Sequence, residues 1–213
     1  MSHRRAKRKV RCLGCGLHPG TCVCAQFPRL SFRTPLAIVQ HVRERYKPTN
    51  TGRMLARMVE DTPILPWGMR DGAFDATPLQ DPSIEWRLLY PRQGAPVVDA
   101  REPVAEGRRL GFVLLDGSWH QCSHISRRLP AIAELPCVAL PPGPRSFWTV
   151  RSQHDERGRS TFEAGVQALE LLEGREAVAP ILRAFAEVTA RLLHLKGKLR
   201  SPEVPEGWLQ PLL

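Results

Sequence analysis

The run LLDGSWHQC, residues 114–122, ends an apolar stretch in a carboxylate and follows it at once with Gly117, Ser118 and Trp119. A strand that crosses a core and finishes in Asp offers that group to whatever lies beyond its carboxyl end, where it can take a proton or hold a cationic group. Asp is also an ordinary turn residue, so Asp116 needs support from the rest of the chain. A second constellation, CLGCGLHPGTCVC, sets Cys12, Cys15, Cys22 and Cys24 in the pattern C-x2-C-x6-C-x-C. Two close pairs joined by a turn through Pro19 and Gly20 can wrap four thiolates around one tetrahedral Zn2+. Four sulfurs fill the shell, which makes the zinc structural and leaves His18 a spare. Disulfides are the competing account, and an intracellular chain disfavours them. Cys122 and Cys137 stand alone and read as small buried apolar residues.

The 213 residues carry 31 Lys and Arg against 21 Asp and Glu, a net charge of +10 that favours a polyanionic partner. Arg4, Arg5, Lys7, Arg8, Lys9 and Arg11 crowd the first eleven residues, and taking those six from +10 leaves the remainder at +4. A basic arm alone reads as a solvated tail. With a basic body behind it, the arm points to nucleic acid, Arg4, Arg5 and Lys7 being candidate contacts. It has no apolar run of a secretion signal, and no segment approaches the ~18 apolar residues of a membrane span. A cytoplasmic protein away from the membrane is therefore expected, although an Arg-rich, acid-poor start also suits an organellar transit peptide.

The elements that must position these groups follow from periodicity. Apolar, β-branched runs predict strands over 35–41, 85–91, 109–116 and 135–140, the last running into Pro141, Pro142 and Gly143, with a shorter run at 62–68. Asn50 or Thr51 can cap a helix with Met54, Leu55, Met58 and Val59 on one side. A helix is predicted over 119–129, closed before Pro130. Another starts at a Ser160–Glu163 capping box and carries Phe162, Val166, Leu169 and Leu172 as a stripe. The last spans 180–198, and 69–83 reads as loop. Strands alternating with helices make an α/β domain with a mostly parallel sheet, in which ligands sit beyond the strands' carboxyl ends. That rule gathers Asp116, 141–144 and 90–94 around one crevice. The chain divides into a basic arm (1–11), a zinc knuckle (12–30), an α/β domain (31–200) and a tail (201–213).

Several segments together resemble one family. LDGSW matches the D-x-[ST]-W signature of DTW-domain proteins, and LPPGPRS and STFEA follow in that family's order. Upstream, Gln40, His41, Glu44, Asn50 and Thr51 resemble its N-terminal motif, and residues 88–91 its preceding strand. The cysteine cluster is similar to its zinc site. The resemblance runs over about 12–173. It implies an S-adenosylmethionine-dependent tRNA-uridine aminocarboxypropyltransferase that leaves 5′-methylthioadenosine, built on a SPOUT-like trefoil-knotted domain. It leaves the oligomeric state open.

On that expectation Asp116 is the catalytic residue, either a base for N3–H of uridine or an anchor for the amino group of the methionine moiety. Trp119 packs against the cofactor or a flipped base, unless it is simply a core-facing helix residue. Leu140, Pro141, Pro142 and Gly143 supply main-chain groups for adenine, and Ser160, Thr161 and Glu163 line the pocket; a strand-ending turn and helix capping are the plainer accounts. Leu89, Tyr90, Leu115 and Ser118 complete the cofactor-binding set. Arg145, Arg151, Arg157 and Arg159, interleaved with Phe147, Trp148 and His154, suit RNA, as do His41, Glu44, Lys47 and Asn50 at another strand end. His41 is equally acceptable as a structural histidine. A SPOUT-like methyltransferase and a non-catalytic RNA-binding knuckle protein are the alternatives.

Overall fold

A computed structural model describes residues 10–70, 72–99, 104–151 and 158–209. Arg4, Arg5, Lys7, His154 and Arg157 of the expected RNA contacts lie outside them. Five strands run parallel in one sheet of order β2-β1-β4-β3-β5: β1 Leu36–His41, β2 Ile64–Trp67, β3 Ile84–Leu89, β4 Arg109–Asp116 and β5 Cys137–Val138. The α/β class and the parallel sheet are as the sequence predicts.

Every strand pair needs a crossover, so both faces of the sheet are covered. Leu36, Ile38, Phe112 and Leu114 point to one face, where they pack with α1 (Thr51–Met58), α4 (Thr161–Glu173) and α5 (Arg175–Leu195). Ala37, Val39, Val113 and Leu115 alternate with them onto the other face, under α2 (Trp119–Arg128) and α3 (Pro130–Ala133). A Cβ on Gly165 would sit 2.4 Å from Leu55 Cδ2 and 3.1 Å from Leu114 Cδ1. Its absence is what lets α4 lie so close to α1 and the sheet.

The connections set the site. From β1 the chain leaves over the α1 face and moves outward to β2; from β4 it leaves over the α2 face and passes β3 to reach β5. Departure in opposite directions opens a topological switch point between β1 and β4. Gln40 and Asp116 are paired in register there.

Three expectations are corrected. The fourth strand shrinks to two residues, because Pro136 and Pro141 bracket it without N–H groups; past Val138, Ala139 pairs instead with the segment around Val97. The last helix begins at Arg175, straight after Gly174 at φ +88°, and contains Pro180. Proline there forgoes a single hydrogen bond near an exposed end, and the earlier start buries Val178. Within 69–83 a short 3-10 turn forms at Thr77–Leu79. Among the described residues no helix is long and apolar enough to cross a membrane.

Candidate active site

Asp116 ends β4 only 4% exposed. Its Oδ2 accepts from Gln40 Nε2 at 2.9 Å and from Asn50 Nδ2 at 2.5 Å, and its Oδ1 accepts from Thr161 Oγ1 at 3.0 Å. Each donor arrives on a different element for a local reason. Gln40 is the register partner on β1. Asn50 is the N-cap of α1, its own Oδ1 accepting from Arg53 N at 2.7 Å. Thr161 is the first residue of α4, behind the Ser160–Glu163 capping box. Two helix N-termini thus converge on one carboxylate, the sign of charge their dipoles favour. With two acceptor sites per oxygen, the described residues fill Oδ2 and leave Oδ1 one lone pair for a further N–H.

Space at this point is made by Gly52, where a Cβ would lie 3.0 Å from Asp116 Cγ and 3.2 Å from each oxygen. Arg53, one residue on, donates to the carbonyls of Arg45 and Lys47 and so holds the 43–50 loop. Burial lowers its pKa, and the charge of Asp116 works against that shift. Gln40 and Gly52 are absent from the sequence-based site. Gln40 stood in the quoted motif, and a glycine at the second position of a helix signals close approach.

The second wall is tied to α4. Glu163, 1% exposed, accepts from Ser146 Oγ, Ser160 N and Ser160 Oγ at 2.7–2.9 Å, and Gln167 Nε2 donates to Pro141 O at 3.2 Å. These bonds fix the 140–146 loop, with Leu140 and Pro141 half-buried and Pro142 and Gly143 exposed. Leu89 is buried on the α1 side and Leu115 on the α2 side. Ser118 caps α2 in a capping box with Gln121, a feature not anticipated. Trp119, the first residue of α2, is 42% exposed with its ring 6.4 Å from Tyr90, so it is no core residue. Burial pushes the Cys122 thiol up to about 12, which makes it an inert apolar filler.

The RNA candidates separate. Lys47 and Arg151 both grip the buried Glu44: Arg151 Nη1 and Nη2 each reach Oε2 at 2.9 Å, and Lys47 Nζ donates to Oε1. His41 is half-buried, accepts at Nδ1 from Arg43 N, and meets Trp67 edge-on at 5.6 Å. Burial and the neighbouring Arg43 lower its pKa. Arg145 is exposed and Arg159 half-buried. Of the interleaved rings among the described residues, Trp148 stacks on Phe185 and Phe147 on Trp208, so both turn inward and neither offers a base platform.

The cysteines meet as the spacing predicts. All four sulfurs lie within 4.8 Å of one another, with Cys12–Cys24, Cys15–Cys22 and Cys12–Cys22 at 3.6, 3.8 and 3.5 Å. Ligands about 2.3 Å from a tetrahedral zinc stand about 3.8 Å apart, so the set fits that ion. A Cβ on Gly14 would fall 2.5 Å from Cys24 Sγ, and Gly16, at φ +76°, seats the knuckle against the Pro48 carbonyl. His18 accepts from Gly20 N and stays outside the cluster.

A family model for the DTW domain matches residues 9–193. The chain is 27% identical over 180 residues to a tRNA-uridine aminocarboxypropyltransferase 2 from Macaca fascicularis, covering 79% of this chain and 58% of that protein. It therefore spans somewhat over half the length of that relative. No solved structure matches. With the acid at the switch point, the loops of the signature gathered around it and the domain match over nearly the whole chain, this protein belongs to the DTW-domain family.

Proposed function

We propose that this protein moves the 3-amino-3-carboxypropyl group of S-adenosylmethionine onto N3 of a uridine in RNA, tRNA above all. The observation that carries the reading is Asp116: a buried carboxylate at the switch point, held by three neutral donors with one Oδ1 lone pair in reserve. The similarity to a protein named as a tRNA-uridine aminocarboxypropyltransferase supports it, as does the net charge of +10.

In the reaction the N3–H of uridine donates to Asp116 Oδ1 and its proton passes to that oxygen. The N3 lone pair forms a bond to the γ-carbon of the methionine moiety. The bond between that carbon and the sulfonium breaks, and its electron pair leaves on sulfur as 5′-methylthioadenosine. Which of the three activated carbons reacts is a matter of position. The 140–146 loop and the first turn of α4 hold the donor, with main-chain groups at Leu89, Leu115 and Ser118 completing its pocket and Trp119 facing the flipped base. A SPOUT-type trefoil threading belongs to the same reading, supported by the insertion of β4 between β1 and β3. The cysteines hold structural zinc.

Purified protein, S-adenosylmethionine and a total RNA pool test the proposal through the nucleoside released. RNA-dependent methylthioadenosine is expected. S-adenosylhomocysteine in its place would make the protein a methyltransferase.

A further inference from the structure

On the opposite face of the sheet from Asp116 lies an open cleft of about 530 Å³ that shares only Tyr90 with the expected cofactor-binding set. Tyr90, just past the end of β3, lines it together with Arg92, and α2 supplies Ser123, Ser126 and Arg127. Both arginines are aimed by the backbone. Arg92 Nη2 donates to Ser126 O at 2.8 Å, while Arg127 donates from Nε to Ser123 O at 3.0 Å and from Nη2 to Ser123 Oγ at 2.9 Å. Two guanidinium groups fixed in this way have given up part of their rotamer freedom before any ligand arrives, and a planar fork suits phosphate oxygens. Arg127 also complements the C-terminal dipole of α2. That accounts for a cation at this position but not for a second arginine, brought to the same cleft from the end of β3.

We propose that this cleft binds a backbone phosphate of the RNA substrate, next to the nucleotide delivered to Asp116. The inference rests on the RNA reading given above. Tyr90 and Asp116 face opposite sides of the sheet, and the exposed Trp119 stands between them, three residues after Asp116 and 6.4 Å from Tyr90. A polymer that enters the crevice over the carboxyl edge passes Trp119 and then meets the two arginines. Stacking on such a ring with a neighbouring phosphate in a basic cleft is how single-stranded nucleotides are held. A carboxylate is the other anion with this chemistry, and S-adenosylmethionine carries one.

Two titrations of the full chain separate these sources. Binding of a bulk tRNA pool is measured against KCl for the wild type, R92A/R127A and R92K/R127K, and binding of S-adenosylmethionine alone is measured by calorimetry. Loss of two phosphate contacts should flatten the log Kd against log salt slope by ~1.4–1.8. The lysine pair should restore the slope, with S-adenosylmethionine affinity unchanged throughout and melting curves matching the wild type. An unchanged slope overturns the proposal. So does a loss of S-adenosylmethionine affinity with the slope intact, because the anion is then the cofactor's. Both readouts are independent of turnover, so a flattened slope in a protein that yields no methylthioadenosine would retain the cleft and reject the activity.

Discussion

Replacing Asp116 in two ways separates its structural from its chemical work. In D116A the side chains of Gln40, Asn50 and Thr161 lose a shared acceptor at a point only 4% exposed. A buried donor left unpaired costs about 1–3 kcal/mol. The Thr161 hydroxyl can turn elsewhere and Gln40 Nε2 stays 3.2 Å from Asn50 Oδ1, which leaves the Asn50 amide as the unpaired donor and an expected loss of roughly 1–3 kcal/mol. D116N is different. Its amide oxygen can take the Gln40 and Asn50 bonds together, while its Nδ2 donates to Thr161 Oγ1, which accepts as readily as it donates. Geometry is then kept within about 1 kcal/mol of stability and only the charge and proton affinity are gone. General-base removal of this kind lowers kcat by about 10²–10⁴. Urea unfolding, methylthioadenosine release and tRNA binding are measured on both variants. The expected pattern is a destabilised, inactive D116A and a stable, inactive D116N, each binding tRNA within a few-fold of wild type where folded. A D116N enzyme turning over at the wild-type rate would refute the chemical role. A D116A protein as stable as wild type would refute the hydrogen-bond account.

G52A should cut activity sharply and lower the melting temperature, since the added Cβ meets the carboxylate at 3.0–3.2 Å and the ~1 kcal/mol by which alanine favours a helix offsets only part of the bonds disturbed; an active variant would mean the crevice tolerates displacement of Asp116. About one zinc per chain is expected from one tetrahedral shell, and metal analysis of unchelated protein showing none would reject the knuckle. Hydrogen bonds from Lys47 and Arg151 outweigh burial and hold Glu44 below its ordinary value of 4.5. A depressed carboxylate stabilises the fold above its unfolded pKa and loses that contribution on acidification, so the stability gap between wild type and E44Q should close as pH falls below about 4.5; a pH-independent gap argues against the ion pair. If the chain is knotted, pulling from both termini should stop short of the contour length that ~3.3–3.6 Å per residue allows, whereas full extension rules the knot out.

Much of this was legible in the sequence because the elements are amphipathic on their natural periods. The strand over 109–116 ends where expected, the Ser160–Glu163 box caps α4, and four cysteines at a ligand spacing come together. What periodicity cannot carry is side-chain direction in irregular segments. In 145–148, arginine beside Phe147 and Trp148 has the composition of an RNA-binding loop, yet Phe185 and the distant Trp208 draw both rings into the core. Nor does sequence disclose a long-range partner: that Glu44 is buried beneath Arg151, 107 residues away, follows only from the fold. Gln40 and Gly52 escaped notice as parts of the site because neither does chemistry itself. Their importance lies in what surrounds Asp116.

The groups that hold Asp116 are also the groups that start two helices. Asn50 caps α1 with one end of its amide and binds the acid with the other. Thr161 opens α4 directly behind a capping box. Displacing the carboxylate would therefore uncap α1 and disturb the seat of α4 against α1, which Gly165 keeps too close for adjustment. A site anchored in this way is organised by the folding energy of the domain, before any substrate binds. Under the proposed reaction its donors need not reorganise as charge moves, and preorganisation of that kind is where electrostatic catalysis has its effect. The 140–146 loop is tied by Glu163 and Gln167 to α4, the helix whose first residue also holds the acid, so the loop and the carboxylate share one anchor.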